Sequence, residues 1–229
     1  MAPHPLKQLA SLYSKDIKLE FRSRESLLPM FVFGLLVLTI FNFSFEFSPA
    51  EMKSAAGGML WIAFTFSLTL GISRSFGLEK EYGSLDSTLL MPVDRGLIFL
   101  GKLLSNFTFA LVQEALLLPF FFVFFNFSLF PDFGWFLAVI CLGTFGFCAV
   151  STLFSALTLS ARMREILMPL LVFPVYIPAV IGSVKAASTI IRGEPLAWAA
   201  MWIKLIVVFD IVFATLAYIL FEFVLEEQS

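Results

Sequence analysis

The sequence is poor in the residues from which catalytic and metal sites are usually built. Its 229 residues include one histidine, His4, and two cysteines, and only 14% of them are charged. A single histidine near the N-terminus excludes Ser/His/Asp and Cys/His arrangements for nucleophilic catalysis. The cysteines, Cys141 and Cys148, are too far apart along one helix for a disulfide, and their spacing matches no metal motif. We therefore expect both thiols to pack as small side chains, and no enzymatic activity in this chain alone.

Apolar residues are unusually abundant in the chain. They make up 59% of the chain and give it a mean hydropathy of +0.93, whereas soluble domains contain about 45–50% apolar and about 25% charged residues. The composition predicts an all-α integral membrane protein with a single transmembrane domain over residues 1–229. No cleavable signal peptide is expected, because the first apolar run starts near Leu27 and is too long. Six segments reach the length of about 18 residues that a span needs: 28–45, 55–73, 97–125, 133–159, 166–184 and 196–223.

The last of these segments is the least regular, because Lys204 and Asp210 interrupt it. Residues 205–221 are long enough to span the membrane alone, and 188–204 would then form a short element at the outer surface. Both versions predict six spans.

The N-terminal region, residues 3–26, is too polar to enter the hydrocarbon and has the pattern of an amphipathic helix. Its apolar residues follow steps of three or four, with lysines and arginines between them. Such a helix is expected to lie in the membrane interface against anionic lipids, with a soluble cap helix as the alternative. The apolar residues are Leu6, Leu9, Tyr13, Ile17 and Phe21.

Lysine and arginine are distributed unevenly among the polar segments. Eleven lie in the N-terminal arm and in the connections between spans two and three and between spans four and five, against four on the other side. By the positive-inside rule this asymmetry places both termini in the cytoplasm, together with the charged connection between spans two and three.

That connection, Glu79 to Arg95, carries six charged residues on 17 positions. Its apolar residues recur at steps of four and three, so a short helix here has one apolar stripe with acidic residues beside it. Gly83 permits the turn into the helix, Ser84 is a suitable N-cap, and Pro92 ends it. A short amphipathic helix between two spans must lie against lipid or against another protein. The stripe consists of Leu85, Leu89 and Pro92.

The fourth and fifth spans carry contrasting patterns. Small residues spaced four apart in the fourth span permit close helix approach, so we expect this stripe to pack against a neighbouring helix, with a dimer seam as the alternative. Three prolines in the fifth span predict a kinked or broken helix, which either lines a pathway or is tolerated for packing. The stripe comprises Thr144, Cys148, Thr152, Ala156 and Ser160, and the prolines are Pro169, Pro174 and Pro178.

Two acidic residues are expected inside the membrane, Glu114 in the third span and Asp210 in the sixth. A carboxylate at this depth is costly unless it has a partner, so both are candidate functional positions. A place near water or against a partner helix is the alternative, and the sequence does not pair the two. The candidate pathway residues are Glu114, Asp210, Pro174 and Pro178.

Residues 96–102, GLIFLGK, have the glycine and lysine spacing of a phosphate-binding P-loop. The pattern fails at Leu103, where serine or threonine is needed to reach Mg²⁺, and no strand precedes it. We interpret this stretch as the start of the third span with a snorkelling Lys102, so we do not expect the chain itself to bind ATP.

The charged connection resembles the E-x-G-S/T-L-D/E…LL-x-P pattern of six-span ABC-2-type exporter permeases, in the run Glu81-Tyr-Gly-Ser-Leu-Asp86 followed by Leu89-Leu90-x-Pro92. In that class the segment is a cytoplasmic coupling helix docked on a separate nucleotide-binding subunit. The chain is similar, more closely, to the haem exporter protein B family over about residues 6–223. The closer similarity is carried by Phe31-Val-Phe-Gly-Leu-Leu-Val, Gly58-Met-Leu-Trp61-Ile-Ala, Ser73-Arg74-Ser75-Phe76, Pro92-Val-Asp-Arg95 with Gly101-Lys102, and Phe173-Pro174-Val-Tyr-Ile-Pro178.

The resemblance implies the membrane permease of the cytochrome c maturation ABC complex in the bacterial cytoplasmic (inner) membrane. Two copies would pair with two copies of a cytoplasmic ABC ATPase subunit that binds ATP, and would work with a haem-handling membrane protein and a periplasmic haem chaperone. The role would be haem export or ATP-driven release of the haem-loaded chaperone. The ATPase contact would consist of Glu79, Glu81, Gly83, Leu85, Asp86, Leu89, Leu90 and Pro92.

Haem would then be a transported or handled substrate, and we favour this over a stably bound cofactor because no span contains a histidine to ligate its iron. Ligation by methionine, tyrosine or cysteine, or a porphyrin held without axial ligation, is the alternative. The tryptophan-rich haem-binding motif of the partner haem handler is also missing from this sequence, in which four scattered tryptophans fit interfacial belts. The alternatives are an ABC-2-type permease for a lipid, glycan or drug, a structural scaffold, and a stand-alone channel or proton-coupled carrier. The tryptophans are Trp61, Trp135, Trp198 and Trp202.

Overall fold

Seven α-helices make up the computed structural model, which describes residues 5–23, 26–81, 93–127, 132–158, 161 and 163–226, and these ranges contain no strand. Six of the helices, α2 to α7, are long and apolar enough to span a membrane. This confirms the predicted all-α, six-span architecture. The helices are α1 (Pro5–Ser23), α2 (Leu27–Ser44), α3 (Pro49–Glu81), α4 (Arg95–Phe124), α5 (Phe133–Leu157), α6 (Arg164–Ile191) and α7 (Leu196–Glu226).

The last two helices differ from their predicted outlines. Helix α6 runs unbroken from Arg164 to Ile191 with all three prolines inside it. Of the two predicted forms, kinked or broken, the broken helix is therefore wrong, and a kink stays a prediction. Each proline removes one backbone hydrogen bond, a loss that neighbouring helices of a membrane bundle compensate. Helix α7 is continuous over Leu196–Glu226, so the alternative of a separate element at 188–204 is also wrong. Lys204 is exposed and Asp210 is buried, and neither interrupts the helix.

The turn between α6 and α7 is fixed by its own backbone. Gly193 has a φ of 72°, in the left-handed region that favours glycine. The amides of Gly193 and Glu194 donate to the carbonyls of Ile190 at 3.0 Å and Thr189 at 3.2 Å, the pattern of a Schellman motif. Arg192 donates two hydrogen bonds of 2.8 Å to the Glu194 carboxylate, which holds the pKa of Glu194 below its ordinary value. The two helices are thereby joined as an antiparallel hairpin.

Successive spans alternate in direction, which gives the bundle two ends. At one end Gly96, at the start of α4, packs against the ring of Tyr218 near the end of α7. The start of α2, the end of α3 and the start of α6 meet around one cavity at this same end. Helix α1 also lies here, so we call it the α1 end. The far end carries the connections α2–α3, α4–α5 and α6–α7.

Helix α1 is held against the first half of α4 by apolar and charged contacts. A Cβ atom at Gly101 would lie 3.0 Å from the Cβ of Leu12, so the glycine permits a close approach. One turn further along α1, the Asp16 carboxylate lies 3.8 Å from the ammonium group of Lys102. Lys102 is only 2% exposed. The prediction that it snorkels out of the bundle is therefore wrong, because a buried carboxylate on α1 attracts it inward.

The face of α1 that is turned to α4 coincides only in part with the predicted apolar stripe, of which Tyr13 shares a hydrogen bond of 3.2 Å with the hydroxyl of Thr108 on α4. Its buried residues are spaced four apart and include two carboxylates, whereas Leu6 of the predicted stripe is 69% exposed. Around the helix axis the stripe lies beside the buried face, and the lysines lie opposite the stripe. Among the stripe residues whose side chains the structure describes, Leu6 is exposed and Leu9, Tyr13 and Ile17 are half-buried. Charged and apolar contacts thus fix α1 on the bundle, and its position in the membrane interface stays a prediction. The buried residues are Leu12, Asp16 and Glu20.

Helix α5 occupies the centre of the bundle. Its small-residue stripe is buried within the chain at all four positions that the structure describes. Packing against neighbouring helices is therefore confirmed, and a dimer seam is wrong for these four positions. Thr152, for example, accepts a hydrogen bond of 3.0 Å from the side-chain amide of Asn106 on α4. Ser160, the fifth residue of the stripe, lies outside the described residues. Both thiols are free, and Cys148 is buried whereas Cys141 is exposed. The four positions are Thr144, Cys148, Thr152 and Ala156.

A close backbone contact joins α3 to α6 near the far end. A Cβ atom at Gly57 would lie 2.9 Å from the carbonyl oxygen of Val184 and 3.0 Å from the amide nitrogen of Ser188. Because both are backbone atoms of a helix, they cannot rotate away as a side chain would. Glycine at this position is what lets the two helices approach so closely.

The tryptophans divide between the core and the surface. Trp61 is buried, and its ring fills the space beside Gly143 of α5. Its predicted place in an interfacial belt is therefore wrong, because a glycine on the facing helix makes room for the indole inside the bundle. Trp135 and Trp198 are exposed near the starts of α5 and α7, both at the far end, as an interfacial belt requires.

Candidate coupling segment and buried polar layer

The predicted coupling segment connects α3 to α4 at the α1 end. Glu79 and Glu81 lie in the last turn of α3, and Arg95 is the first residue of α4. The two ends of the segment therefore belong to the flanking helices. The remaining candidate contact residues lie outside the described residues, and their role stays a prediction. These are Gly83, Leu85, Asp86, Leu89, Leu90 and Pro92.

The start of α4 is anchored to its surroundings. The Asp94 carboxylate caps the helix by accepting a hydrogen bond of 2.7 Å from the amide of Gly96. The ring of Tyr218 on α7 fills the space beside that glycine. Helix α1 lies against the next turn through Gly101 and Lys102. A displacement of the start of α4 is therefore passed on to α1 and α7 through these contacts.

Glu114 lies on α4 inside the bundle, with 1% of its surface exposed. The hydroxyl of Thr144 on α5 donates a hydrogen bond of 2.7 Å to its Oε1 atom. Its Oε2 atom is buried without a hydrogen-bond partner among the described residues. The neighbouring Gln113 donates a hydrogen bond of 3.0 Å from Nε2 to the hydroxyl of Ser67 on α3. Helix α4 thus presents two adjacent polar side chains to the helices around it.

Asp210 lies on α7 and is 5% exposed. It packs against Gly146 of α5, whose missing side chain leaves room for the carboxylate. Neither carboxylate oxygen has a hydrogen-bond partner within the helices that the structure describes. A carboxylate without donors is costly in an apolar bundle, so Asp210 remains a candidate functional position.

One turn of α5, residues 143–147, brings both carboxylates into one layer. It holds Glu114 through the hydroxyl of Thr144, and it adjoins Asp210 through a glycine. The hydroxyl of Tyr176 on α6 donates a hydrogen bond of 2.8 Å to a carbonyl in the same turn. We call this group the polar layer, and it consists of Glu114, Thr144, Tyr176 and Asp210.

The sequence indicated the two carboxylates separately and missed Tyr176. A signal for Tyr176 was present, because a tyrosine in the middle of an apolar span must place its hydroxyl on an acceptor. The layer itself depends on which helices face Thr144 and Gly146 of α5, and nothing local to α5 predicts that.

The two prolines proposed as pathway residues lie elsewhere. Pro174 and Pro178 are exposed, one turn apart on the outer surface of α6, whereas Tyr176 between them is buried. They therefore face away from the polar layer, and their place on a pathway stays a prediction.

The polar layer offers two carboxylates, a phenol and a hydroxyl, groups that accept or pass on protons. Within the described ranges, no three histidine, cysteine, aspartate or glutamate side chains lie close enough together to hold a metal ion.

Replacing Thr144 with valine is expected to lower the free energy of unfolding by about 1–3 kcal/mol. Valine keeps the shape of threonine but lacks the hydroxyl that donates a hydrogen bond to Glu114. The buried carboxylate therefore loses its donor. Denaturant unfolding of the purified protein in detergent micelles measures the change.

Thr144→Ser is the matched control, because serine keeps the donor and loses only a methyl group. An unfolding free energy that is equal in the valine and serine variants would show that the hydrogen bond to Glu114 contributes nothing.

These features define a multi-pass, α-helical membrane protein in which a charged segment separates two spans and a polar layer lies inside the bundle. The model of the family described as CcmB protein matches residues 7–226. Since the match covers nearly the whole sequence, the chain belongs to this family, and the resemblance inferred from the sequence is confirmed.

Individual relatives agree with the family match. The chain is 27% identical over 173 residues to Heme exporter protein B of Rhodobacter capsulatus, which covers 76% of this chain and 79% of that protein. It is 28% identical over 180 residues to Heme exporter protein B of Paracoccus denitrificans, covering 78% and 81%. A shorter match of 95 residues at 25% identity, 42% of this chain, is made with Heme exporter protein B of Escherichia coli strain K12.

Proposed function

We propose that this chain is the membrane permease subunit of an ABC transporter complex for cytochrome c maturation. Its role there is haem export, or the ATP-driven release of a haem-loaded periplasmic chaperone. The observation that carries the proposal is the family match over residues 7–226, together with relatives named Heme exporter protein B that match over most of their length. The protein then lies in the bacterial cytoplasmic membrane, with both termini and the coupling segment in the cytoplasm.

ATP hydrolysis in this proposal belongs to a separate cytoplasmic ABC ATPase subunit. The P-loop-like spacing at residues 96–102 lies in the first turns of α4, where the backbone is helical. Gly101 is covered there by Leu12 of α1, and Lys102 lies beside Asp16. A phosphate cradle needs a glycine-rich loop whose amides point at the nucleotide. The geometry of this stretch therefore supports a membrane subunit and not a nucleotide-binding one.

The coupling segment forms the contact with the ATPase. An apolar stripe on a short helix fits a hydrophobic groove, and the acidic residues beside it meet basic residues at the rim of that groove. The anchoring of α4 to α1 and α7 supports this role, because a force applied between α3 and α4 spreads over the α1 end. Two copies of the chain pair with two copies of the ATPase.

Haem is handled without a stable binding site in the spans. His4 lies outside every span, so imidazole ligation of the iron within the membrane is excluded. Mechanical work on a haem-handling membrane protein and a periplasmic haem chaperone, or passage of an unligated substrate, fits the chain better than tight haem binding.

A haem stain of membrane c-type cytochromes in a strain deleted for this gene tests the proposal. Loss of all stained bands, with recovery when the wild-type gene is restored, is the expected result. Normal bands in the deletion strain would overturn the role in cytochrome c maturation and leave an ABC-2-type exporter of a lipid, glycan or drug.

A further inference from the structure

A cavity of about 210 Å³ opens at the α1 end, where the start of α2, the end of α3 and the start of α6 meet. A water molecule takes up about 30 Å³ in the liquid, so this space accommodates a group of several heavy atoms. Its polar lining comes from Ser26, which precedes α2, and from Thr69, Ser73 and Arg74 of α3. The lining residues that the structure describes include a cation and no carboxylate, so the cavity favours an anion.

Ser26 occupies the N-cap position of α2 without capping the helix. Its side chain makes no capping hydrogen bond, although a serine at this position normally accepts one from an amide of the first turn. Its Oγ atom is buried and has no partner in the part of the chain that the structure describes. A hydroxyl on a residue that is 1% exposed, unpartnered and on the wall of a cavity, points to a ligand that completes its hydrogen bonding.

The first turn of α2 adds donors of the kind that bind anions. The amides of Leu27 and Leu28 lie too near the start of the helix to have an intrahelical acceptor, and Pro29 has no amide hydrogen. The helix dipole makes this end of α2 positive. Helix N-termini with this arrangement bind phosphate, sulfate and carboxylate groups.

Arg74 brings a full positive charge to the same cavity. It has another contact as well, but a guanidinium group carries five N–H donors and can serve more than one acceptor. Ser73 adds a hydroxyl, whereas the hydroxyl of Thr69 is already donated to the carbonyl of Thr65 at 2.6 Å. The donor set on the cavity wall therefore combines two serine hydroxyls and an arginine next to the positive N-terminus of α2, which suits a phosphate group.

The surroundings of the cavity favour a lipid as the source of that phosphate. The apolar span of α2 begins at Leu27 and that of α3 ends at Arg74, so the cavity lies at the membrane boundary. An exposed apolar stripe of α3 leads from the cavity toward the far end, at the depth where the acyl chains of a lipid lie. The stripe consists of Ile62, Phe66 and Leu70.

We propose that this cavity binds the phosphate group of a phospholipid, whose acyl chains lie along the apolar stripe of α3. The proposal goes beyond the transport function and does not depend on which substrate the complex moves. A lipid bound here contacts α3 just before the coupling segment and thereby fixes the position of that helix end.

The test uses the full chain, purified in detergent and freed of lipid, with native mass spectrometry to measure the binding of phosphatidylglycerol. A variant combining Ser26→Ala with Ser73→Ala is expected to bind the lipid about tenfold more weakly than the wild type, because two hydrogen bonds to the phosphate are lost. The single variant Arg74→Gln is expected to weaken binding more than this double variant does. Ser54→Ala, at an exposed serine of α3 near the far end, and Arg192→Gln, in the far-end turn, are the matched controls and are expected to bind normally.

Two further probes separate the contribution of the phosphate group from that of the acyl chains. Diacylglycerol has the same chains without the phosphate, and inorganic phosphate has the anion without the chains; weak binding of both supports the proposal. Equal binding of diacylglycerol and phosphatidylglycerol, or unchanged binding by the double serine variant, overturns it. If inorganic phosphate displaces phosphatidylglycerol at equal concentration, the ligand is free phosphate and the proposed lipid is wrong. If Arg74→Gln fails to fold, the serine variant still decides the outcome.

Discussion

A strain whose only copy of the gene carries Leu85→Asp is expected to lack haem-stained c-type cytochromes while keeping normal amounts of the protein in its membrane. Leu85 belongs to the predicted apolar stripe of the coupling segment and to none of the six spans, so the change should not prevent insertion. Burial of a leucine side chain is worth about 1.5–3 kcal/mol, so its loss alone weakens the ATPase contact about tenfold to a hundredfold. A buried aspartate adds a desolvation cost to that.

Co-purification of the ATPase subunit with the tagged permease measures this contact directly. Leu85→Met is the matched control, since it keeps the apolar volume and should retain both the ATPase and the stained bands. Gly83→Val, which replaces the glycine of the predicted turn and leaves the predicted stripe residues unchanged, should also abolish co-purification. If both Leu85→Asp and Gly83→Val retain the ATPase at the wild-type level, the segment is not the coupling contact.

Replacing Lys102 with methionine is expected to lower the free energy of unfolding by about 3 kcal/mol. Removing one partner of a buried ion pair costs about 3–5 kcal/mol because it leaves an uncompensated charge. The lower end of that range applies here, since Asp16 keeps a contact of 3.2 Å to the half-buried Lys15. Methionine fills a similar volume, so the loss of charge and not a cavity dominates the effect. Denaturant unfolding in micelles, followed by tryptophan fluorescence, gives the value.

Lys204→Met is the control for the same chemical change at an exposed site on α7, and it should alter stability by less than about 0.5 kcal/mol. Adding Asp16→Asn to Lys102→Met should restore part of the lost stability, because the second change removes the stranded carboxylate. A Lys102→Met variant as stable as the Lys204→Met control would mean that the contact between α1 and α4 does not rest on this pair.

The features that the sequence predicted well depend on patterns within short stretches of the chain. Span positions depend on runs of apolar residues, and the six helices appear where the runs are. The small-residue stripe of α5 was also recognisable, because close packing in a membrane selects residue size at fixed spacing. The coupling segment was found by the same kind of local pattern and by family resemblance, and its contact residues remain predictions.

What the sequence did not predict depends on contacts between distant residues. The buried face of α1 could not be inferred from its apolar stripe, because the partner of Asp16 is Lys102 on another helix. Glu114 and Asp210 could not be paired for a similar reason, since they share a layer only through one turn of α5. The prolines of α6 left a kinked and a broken helix open, and only the bundle decides against the break, because packing keeps the helix continuous.

The length of α3 has a mechanical consequence. Its 33 residues form a rod of about 50 Å, at about 1.5 Å per residue, whereas the hydrocarbon core is about 30 Å thick. The helix exceeds that thickness by about 20 Å and continues past the end of its apolar span at Arg74 to Glu81. It packs on α6 at Gly57 and again through the rings of Phe66 and Phe173, whose centroids are 5.0 Å apart. A sideways load on the Glu81 end is therefore shared with α6 along the span, so the two helices respond as one stiff unit.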